Sequence, residues 1–260
     1  MPNIFSIIGE AWNFYQKQPV LNSVLLWMIL LPLVVISFLG IPLETIAESL
    51  VESTSTNVQR DILLMILLVF LNIVFGIITI WGTACTLLIG KKLLKNSSGR
   101  TRSSFKTLRT EAAKYVPSLV LTGILRGCLI LLWSLLLVIP GIIYGIRTSF
   151  YSVTLVCEGK KYRNSLSAST KVVKGNTFSI FLYLVGISLV IFIPINIITG
   201  SIRAIIEHFD DRLIPAFSIL EVGANGVASM IVALSTIILF SHVKKLSKKP
   251  THQSVSAPSI

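Results

Sequence analysis

Apolar residues gather into long runs at 20–41, 62–90, 116–139, 177–199 and 217–240, with a shorter, interrupted run at 141–157. A helix needs about 20 apolar residues to cross the roughly 30 Å hydrocarbon layer of a bilayer. The pattern therefore predicts an all-α membrane protein with six transmembrane helices arranged as three hairpins. The fourth run is the least apolar. Its seven Leu, Ile, Val and Phe residues contribute about −2 to −4 kcal/mol to insertion, against about +2.5 to +3.5 for the central Arg147. The third run holds fifteen Leu, Ile and Val residues, about −4.5 to −9 kcal/mol, and can carry Arg126. These two runs are expected to insert together, as a hairpin turned at Pro140 and Gly141. Proline ends a helix and glycine permits the turn.

A second periodicity precedes three of the runs. Ile4, Phe5, Ile8, Ala11, Trp12 and Tyr15 recur at helical spacing, an apolar stripe on one helix face. Phe105, Leu108, Ala112, Tyr115 and Val116 repeat it before the third run, and Leu166, Ser169, Val172 and Val173 before the fifth. Each stripe stops near a breaker, at Pro19, Pro117 and Gly175-Asn176. Amphipathic helices of this kind suit the membrane–water interface, with Trp12 and Tyr115 at headgroup depth. The sequence thus predicts three units, each an interfacial helix followed by a membrane hairpin. The spacing between breakers is unequal, so the units are not a strict repeat. The first run follows a polar, amphipathic stretch and has no small-residue cleavage pattern behind it, so it is expected to be retained as a helix. Residues 1–246 read as a single polytopic domain, and the Lys-, Ser- and Pro-rich tail 247–260 reads as disordered.

Charge sets the expected orientation. Lys and Arg number one before the first run, eight in 91–115, five in 158–176 and four after the last run, eighteen on one side. The alternate connectors hold one in 42–61, none between the third and fourth runs, and two in 200–216, three on the other side. Short loops rich in Lys and Arg stay cytoplasmic. The expected topology places both termini in the cytoplasm of a cell bounded by a plasma (inner) membrane. The acids fall mostly on the opposite side, at Glu44, Glu48, Glu52, Asp61, Glu207, Asp210 and Asp211. This distribution accounts for the net charge of +12 without nucleic acid. With 53% hydrophobic residues, 13% charged and a mean hydropathy of +0.81, the chain lies far from soluble domains.

The sequence carries no soluble catalytic motif. His208, His242 and His252 lack zinc-protease spacing, and neither a phosphate-binding GxxxxGK[ST] loop nor a GxSxG elbow is present. Cys85, Cys128 and Cys157 lie in or beside apolar runs without a CxxC pair, and read as membrane-interior residues. The chain is expected to be non-enzymatic and to hold neither cofactor nor metal. Its candidate chemistry is the set of polar residues inside the runs. Arg126 lies near mid-membrane. Arg147, roughly 9 Å deep, Glu221, roughly 6 Å deep, and Asn196 fall at similar depths from the non-cytoplasmic side. Intramembrane charges usually face the bundle interior and pair. Two readings follow. One is a structural Arg147–Glu221 pair that locks the fourth helix to the sixth. The other is an outward-facing polar pocket, with Arg126 beneath, able to hold an anionic group.

Residues 139–175 contain Ile-Pro-Gly, then Arg147 and Phe150, an acidic-Gly turn at Glu158-Gly159, and a Ser-Thr-Lys-Val-Val-Lys-Gly stretch at 169–175. With the opening Glu-Ala-Trp-Asn-Phe-Tyr-Gln-Lys-Gln-Pro, this resembles a broad prokaryotic family of six-helix membrane proteins. That family includes the membrane module fused to some glycerophosphodiester phosphodiesterases. Cys157-Glu158 and Ser167-Ala168 stand where that family often has Asp-Glu and Glu-Ala. The resemblance implies a multi-spanning membrane module and does not carry the phosphodiesterase activity with it. The leading functional expectation is a membrane-organising or partner-binding protein; the alternative is a transporter or exporter of a small or lipid-like anion. The implied partners are membrane lipids, with anionic headgroups at the cytoplasmic face, and a protein partner or a second copy of this chain.

Overall fold

A computed structural model describes residues 2–51, 57–95, 104–209 and 213–248. These are almost entirely helical, with no strand among the described residues. Of the tail 247–260, expected to be disordered, Ser247 and Lys248 continue the last helix, and residues 249–260 lie outside the described residues.

Helix α1 (Ile4–Lys17) starts at Asn3, whose side chain accepts the Phe5 N–H, and ends at Gln18, before Pro19. A proline restricts the residue before it to extended backbone, which separates α1 from the helix that follows. That helix runs without a gap from α2 (Val20–Val24) through a π-helical turn, Leu25–Leu30, into α3 (Leu31–Val51). Helix α4 (Val58–Lys95) returns along it. At the π turn, Gly82 of α4 sits against the Met28 backbone; a Cβ at Gly82 would lie 2.8 Å from the Met28 carbonyl oxygen.

The second unit is α5 (Phe105–Ala113), α6 (Val116–Leu136), α7 (Val138–Arg147) and α8 (Tyr151–Glu158). The third is α9 (Arg163–Val173), α10 (Thr177–Phe209) and α11 (Ile214–Lys248). Among the described residues, five helices are long and apolar enough to cross a membrane: Val20–Val51, Val58–Lys91, Val116–Leu136, Thr177–Phe209 and Ile214–Leu246. The fourth expected span, 141–157, is not one helix. It is divided between α7 and α8, with a break at 148–150. At 1.5 Å per residue, α7 is about 15 Å long and crosses only half a bilayer.

The hairpin between α6 and α7 also turns earlier than the sequence suggests. Its single extended residue is Leu137 (φ −158°, ψ 128°), and Pro140 and Gly141 lie inside α7. Pro140 is the third residue of that helix, where its missing N–H would have no partner within the helix. Gly141 is buried against α6. A Cβ there would collide with Ser134 Oγ and approach the Ser134 backbone nitrogen to 2.9 Å. The glycine is needed for close helix contact, not for a turn.

The core occupies one end of the bundle. Its residues include Ile7 and Ala11 of α1, Leu21, Val24, Met28 and Ile29, Ala84, Cys85 and Leu87 to Ile89 of α4, Leu108 and Ala112 of α5, Leu119 of α6, Phe150, Val153, Leu155 and Val156, Val173 of α9, Ile180 and Ile187 of α10, and Met230, Leu234, Ile237 to Phe240 and Val243 of α11. The three short amphipathic helices thus each dock on the core that the long helices share, but the buried face of α1 centres on Ile7 and Ala11, and Phe5 and Trp12 of its expected stripe are exposed. At the other end α3, α4, α10 and α11 expose large apolar side chains, among them Ile41, Leu63, Phe70, Ile197 and Leu220. In a soluble protein such surface would drive association; on membrane-length helices it faces lipid.

Replacing Gly141 by Ala is expected to force α6 and α7 apart and cost about 1–3 kcal/mol, the usual range for overpacking. Thermal unfolding of the detergent-solubilised protein measures it. An unchanged midpoint would show that the α6–α7 contact can relax.

Candidate functional site

The break between α7 and α8 exposes backbone groups deep in an apolar bundle. A helix leaves its last four carbonyls without intrahelical partners, and unsatisfied backbone in hydrocarbon costs several kcal/mol per group. Every one of these carbonyls is met. The Thr148 N–H donates to the Tyr144 carbonyl (3.0 Å) and the Ser149 N–H to Ile146 (3.1 Å). Arg126 Nη2, reaching from α6, donates to Gly145 (3.0 Å). The Ser169 hydroxyl, reaching from α9, donates to Arg147 (2.8 Å) and accepts the Phe150 N–H (3.1 Å), which begins α8.

Arg126 does more than fill one carbonyl. Its Nε donates to the Thr148 hydroxyl (3.0 Å), which in turn donates to Tyr144 O (2.8 Å). Its guanidinium carbon lies 5.3 Å from the centre of the Tyr151 ring. The cation thus sits at the negative end of the α7 dipole and against an aromatic face, both favourable for positive charge. An arginine fits where a lysine would not, because a planar fork can serve a carbonyl and a hydroxyl together while stacking on a ring.

The other sequence-predicted site residues do not join it in one pocket. Only the carbonyl of Arg147 is held, by Ser169, and its side chain is exposed. Asn196 is exposed and donates back to Phe192 O (2.8 Å) within its own helix. Glu221 pairs with Arg203, not with Arg147, at 3.7 Å to Nη1. The expected Arg147–Glu221 pair fails for a geometric reason. Arg147 lies at the far end of α7, some 15 Å from the reversal at Leu137 and beside α9. Glu221 lies near the start of α11, at the end of the bundle where α7 begins. Arg203, counted in sequence as a connector residue, is helical within α10 and also bonds Glu207 Oε1 (3.0 Å). The i, i+4 spacing of Arg203 and Glu207 was the available signal. Thr148 and Ser169 had none, because a hydroxyl in an apolar stretch reads as filler until its carbonyl partner is known.

The packed end carries a second charged arrangement. Glu158, 15% exposed, accepts from Lys244 of α11 (2.5 Å) and Lys160 (2.9 Å), while Lys91 of α4 donates to Val156 O (3.3 Å). Burial alone would raise the Glu158 carboxyl; the hydrogen bonds and charges of Lys244 and Lys160 outweigh it and hold the group below its ordinary value. One carboxylate thereby ties α8 to α11 at the end where all three units meet. Around it Lys17, Lys106, Arg109, Lys114, Lys161, Arg163, Lys171, Lys174 and Lys245 are exposed, with Glu10 and Glu111 as exposed acids of α1 and α5. Trp12 stacks near Tyr15 (5.6 Å), and Trp81 donates to the Arg109 carbonyl (2.9 Å). The short helices thus present a basic surface with aromatic rings beneath it.

No family model, curated protein or solved structure matches the chain. The geometry and charge above carry the functional reading.

Arg126→Ala is expected to leave Gly145 O without its donor and lower stability by about 2–3 kcal/mol, as for a lost hydrogen bond to a charged group; Arg126→Lys should restore only part. Thermal unfolding of the three proteins side by side measures this. Glu158→Gln should cost about 1 kcal/mol, since both lysines are partly exposed. The Glu158 carboxyl is depressed in the fold, so its contribution is complete above the ordinary glutamate range, about 4.3, and is lost as pH falls through the lower folded value. The gap between wild type and Glu158→Gln should accordingly close on acidification; a gap that widens would contradict the pairing.

Proposed function

We propose that this chain is a non-enzymatic integral membrane protein that holds anionic lipid headgroups on a basic cytoplasmic face, and through that face organises the surrounding membrane or a partner protein. In this reading α7 and α8 together make the fourth of six crossings, and both termini lie in the cytoplasm of a plasma (inner) membrane. The observation that carries it is the docking of α1, α5 and α9. Each buries apolar residues in the core, Ile7 and Ala11, Leu108 and Ala112, and Val173, and leaves its bases outward, so three helices form one basic surface at a single membrane face. A base near an anionic bilayer surface contributes about 1 kcal/mol, and several act together. The Trp and Tyr side chains at this level suit the headgroup region. The described acids at the other end, Glu44, Glu48, Asp61, Glu207 and Glu221, oppose only Arg60 and Arg203, in keeping with basic loops inside.

Anion transport through Arg126 and Arg147 draws less support. The first is committed to the α7 terminus, and the second is separated from Glu221 by the length of the outer half.

Spin-labelled phospholipids in reconstituted membranes test the headgroup reading. Phosphatidylglycerol should associate with the protein over phosphatidylcholine by roughly fivefold at low salt, and the preference should shrink in high salt. Replacing Lys106, Lys114, Lys171 and Lys174 by Gln should remove most of it. Equal association of both lipids would overturn the reading. A cysteine at Lys171 should be labelled only from the cytoplasmic side; labelling from outside would reverse the orientation.

A further inference from the structure

At the end opposite the basic face, α3, α10 and α11 enclose a cavity of about 570 Å³. Its walls include Leu33, Phe38, Ile41 and Val222, and two charged side chains, Arg203 and Glu221, face it. Along α11 it extends from Ile214 to Asn225, about 16 Å at 1.5 Å per residue; Val222 to Asn225, about 6 Å of that, lie beyond Glu221 toward the packed end. The level of the charges follows from the same ruler. Glu221 stands 23 residues before Lys244 on α11, about 35 Å away, slightly more than the roughly 30 Å hydrocarbon layer. With Lys244 at one interface, the Arg203–Glu221 pair stands at the headgroup level of the other.

The charges there are loosely matched. Arg203 is about half exposed and Glu221 is 27% exposed, and they lie 3.7 Å apart, a distance at which each retains bonding capacity for a third group. Arg203 also serves Glu207, so one guanidinium faces two carboxylates. Such a set attracts a cation beside an anion. A wholly anionic headgroup would meet two like charges; a phosphodiester carrying an amine would meet an opposite charge at both ends.

We infer that this groove is a binding site for a zwitterionic, amine-bearing phospholipid of the leaflet opposite the basic face. The first carbons of one acyl chain lie against Leu33, Phe38 and Val222, the phosphate lies on Arg203, and the ammonium lies on Glu221. The preference is the reverse of that proposed for the basic end, and the two sites are separated by the membrane thickness.

The test is native mass spectrometry of the full-length protein released from nanodiscs holding equal amounts of phosphatidylethanolamine and phosphatidylglycerol with matched acyl chains. Wild type should retain one phosphatidylethanolamine most firmly, by roughly fivefold over phosphatidylglycerol, about what one well-placed charge supplies. Glu221→Gln should bring the ratio near one, and Arg203→Gln should weaken retention of both lipids. Ser218→Trp, which fills the groove, should abolish retention while leaving the unfolding midpoint in place. Glu221→Gln, at a partly exposed position, keeps the test decisive if the tryptophan variant fails to fold. Preferred retention of phosphatidylglycerol, or a phosphatidylethanolamine signal untouched by Glu221→Gln, would overturn the assignment and mark the lipid as annular. The four-fold Lys→Gln variant at the basic end should leave this retention unchanged, so failure of one site is separable from failure of the other.

Discussion

A helix that stops halfway through an apolar bundle must have its backbone satisfied by someone else's side chains, and this protein is organised around meeting that demand. The four terminal carbonyls of α7 draw donors from the break itself, from Arg126 on α6 and from Ser169 on α9. Water, the usual partner of a frayed helix end, is scarce in the hydrocarbon. The break can exist only while α6 and α9 are both in place, so a local backbone feature binds the second unit to the third. An intramembrane arginine, costly in isolation, becomes favourable because the end of a helix dipole and an aromatic face wait for its charge.

Once the break is fixed, α8 becomes a short, buried plug. Val153 to Val156 are fully enclosed, with α4 on one side, α9 on another and α6 beside them. At its C-terminus Lys91 of α4 donates to the Val156 carbonyl, and the Glu158 carboxylate, carried there by the helix, is met by Lys244 of α11. Each charged contact at the packed end thus closes a backbone or side-chain demand created by the previous one. The opposite half has no such plug, and its long helices meet mainly as pairs, which leaves room for the groove beside α3 and α11.

The two ends therefore differ in chemistry as well as packing. One is closed, basic and lined with aromatic rings. The other is open, apolar along its walls and carries one cation, Arg203, against two carboxylates, Glu207 and Glu221. The sequence places the charge asymmetry by distributing Lys and Arg unevenly among its connectors.

Hydropathy and charge act locally and add along the chain, so five membrane-length helices, three amphipathic helices and the segregation of bases from acids were all legible before any packing was known. The stripes at Ile4–Tyr15, Phe105–Val116 and Leu166–Val173 could be read because a helical period survives whatever it packs against. The fourth span misled because an apolar run says nothing of where its backbone breaks. Pro140 and Gly141 looked like a turn, yet proline is tolerated in a first helical turn and glycine also serves close contact. That ambiguity shifted the reversal to Leu137 and, with the break at 148–150, moved Arg147 away from Glu221. Which polar groups meet depends on translations of whole helices by several ångströms, and hydrogen bonds tolerate only tenths of one. The bundle itself therefore had to choose Gly145 and Thr148 for Arg126, and Arg203 for Glu221.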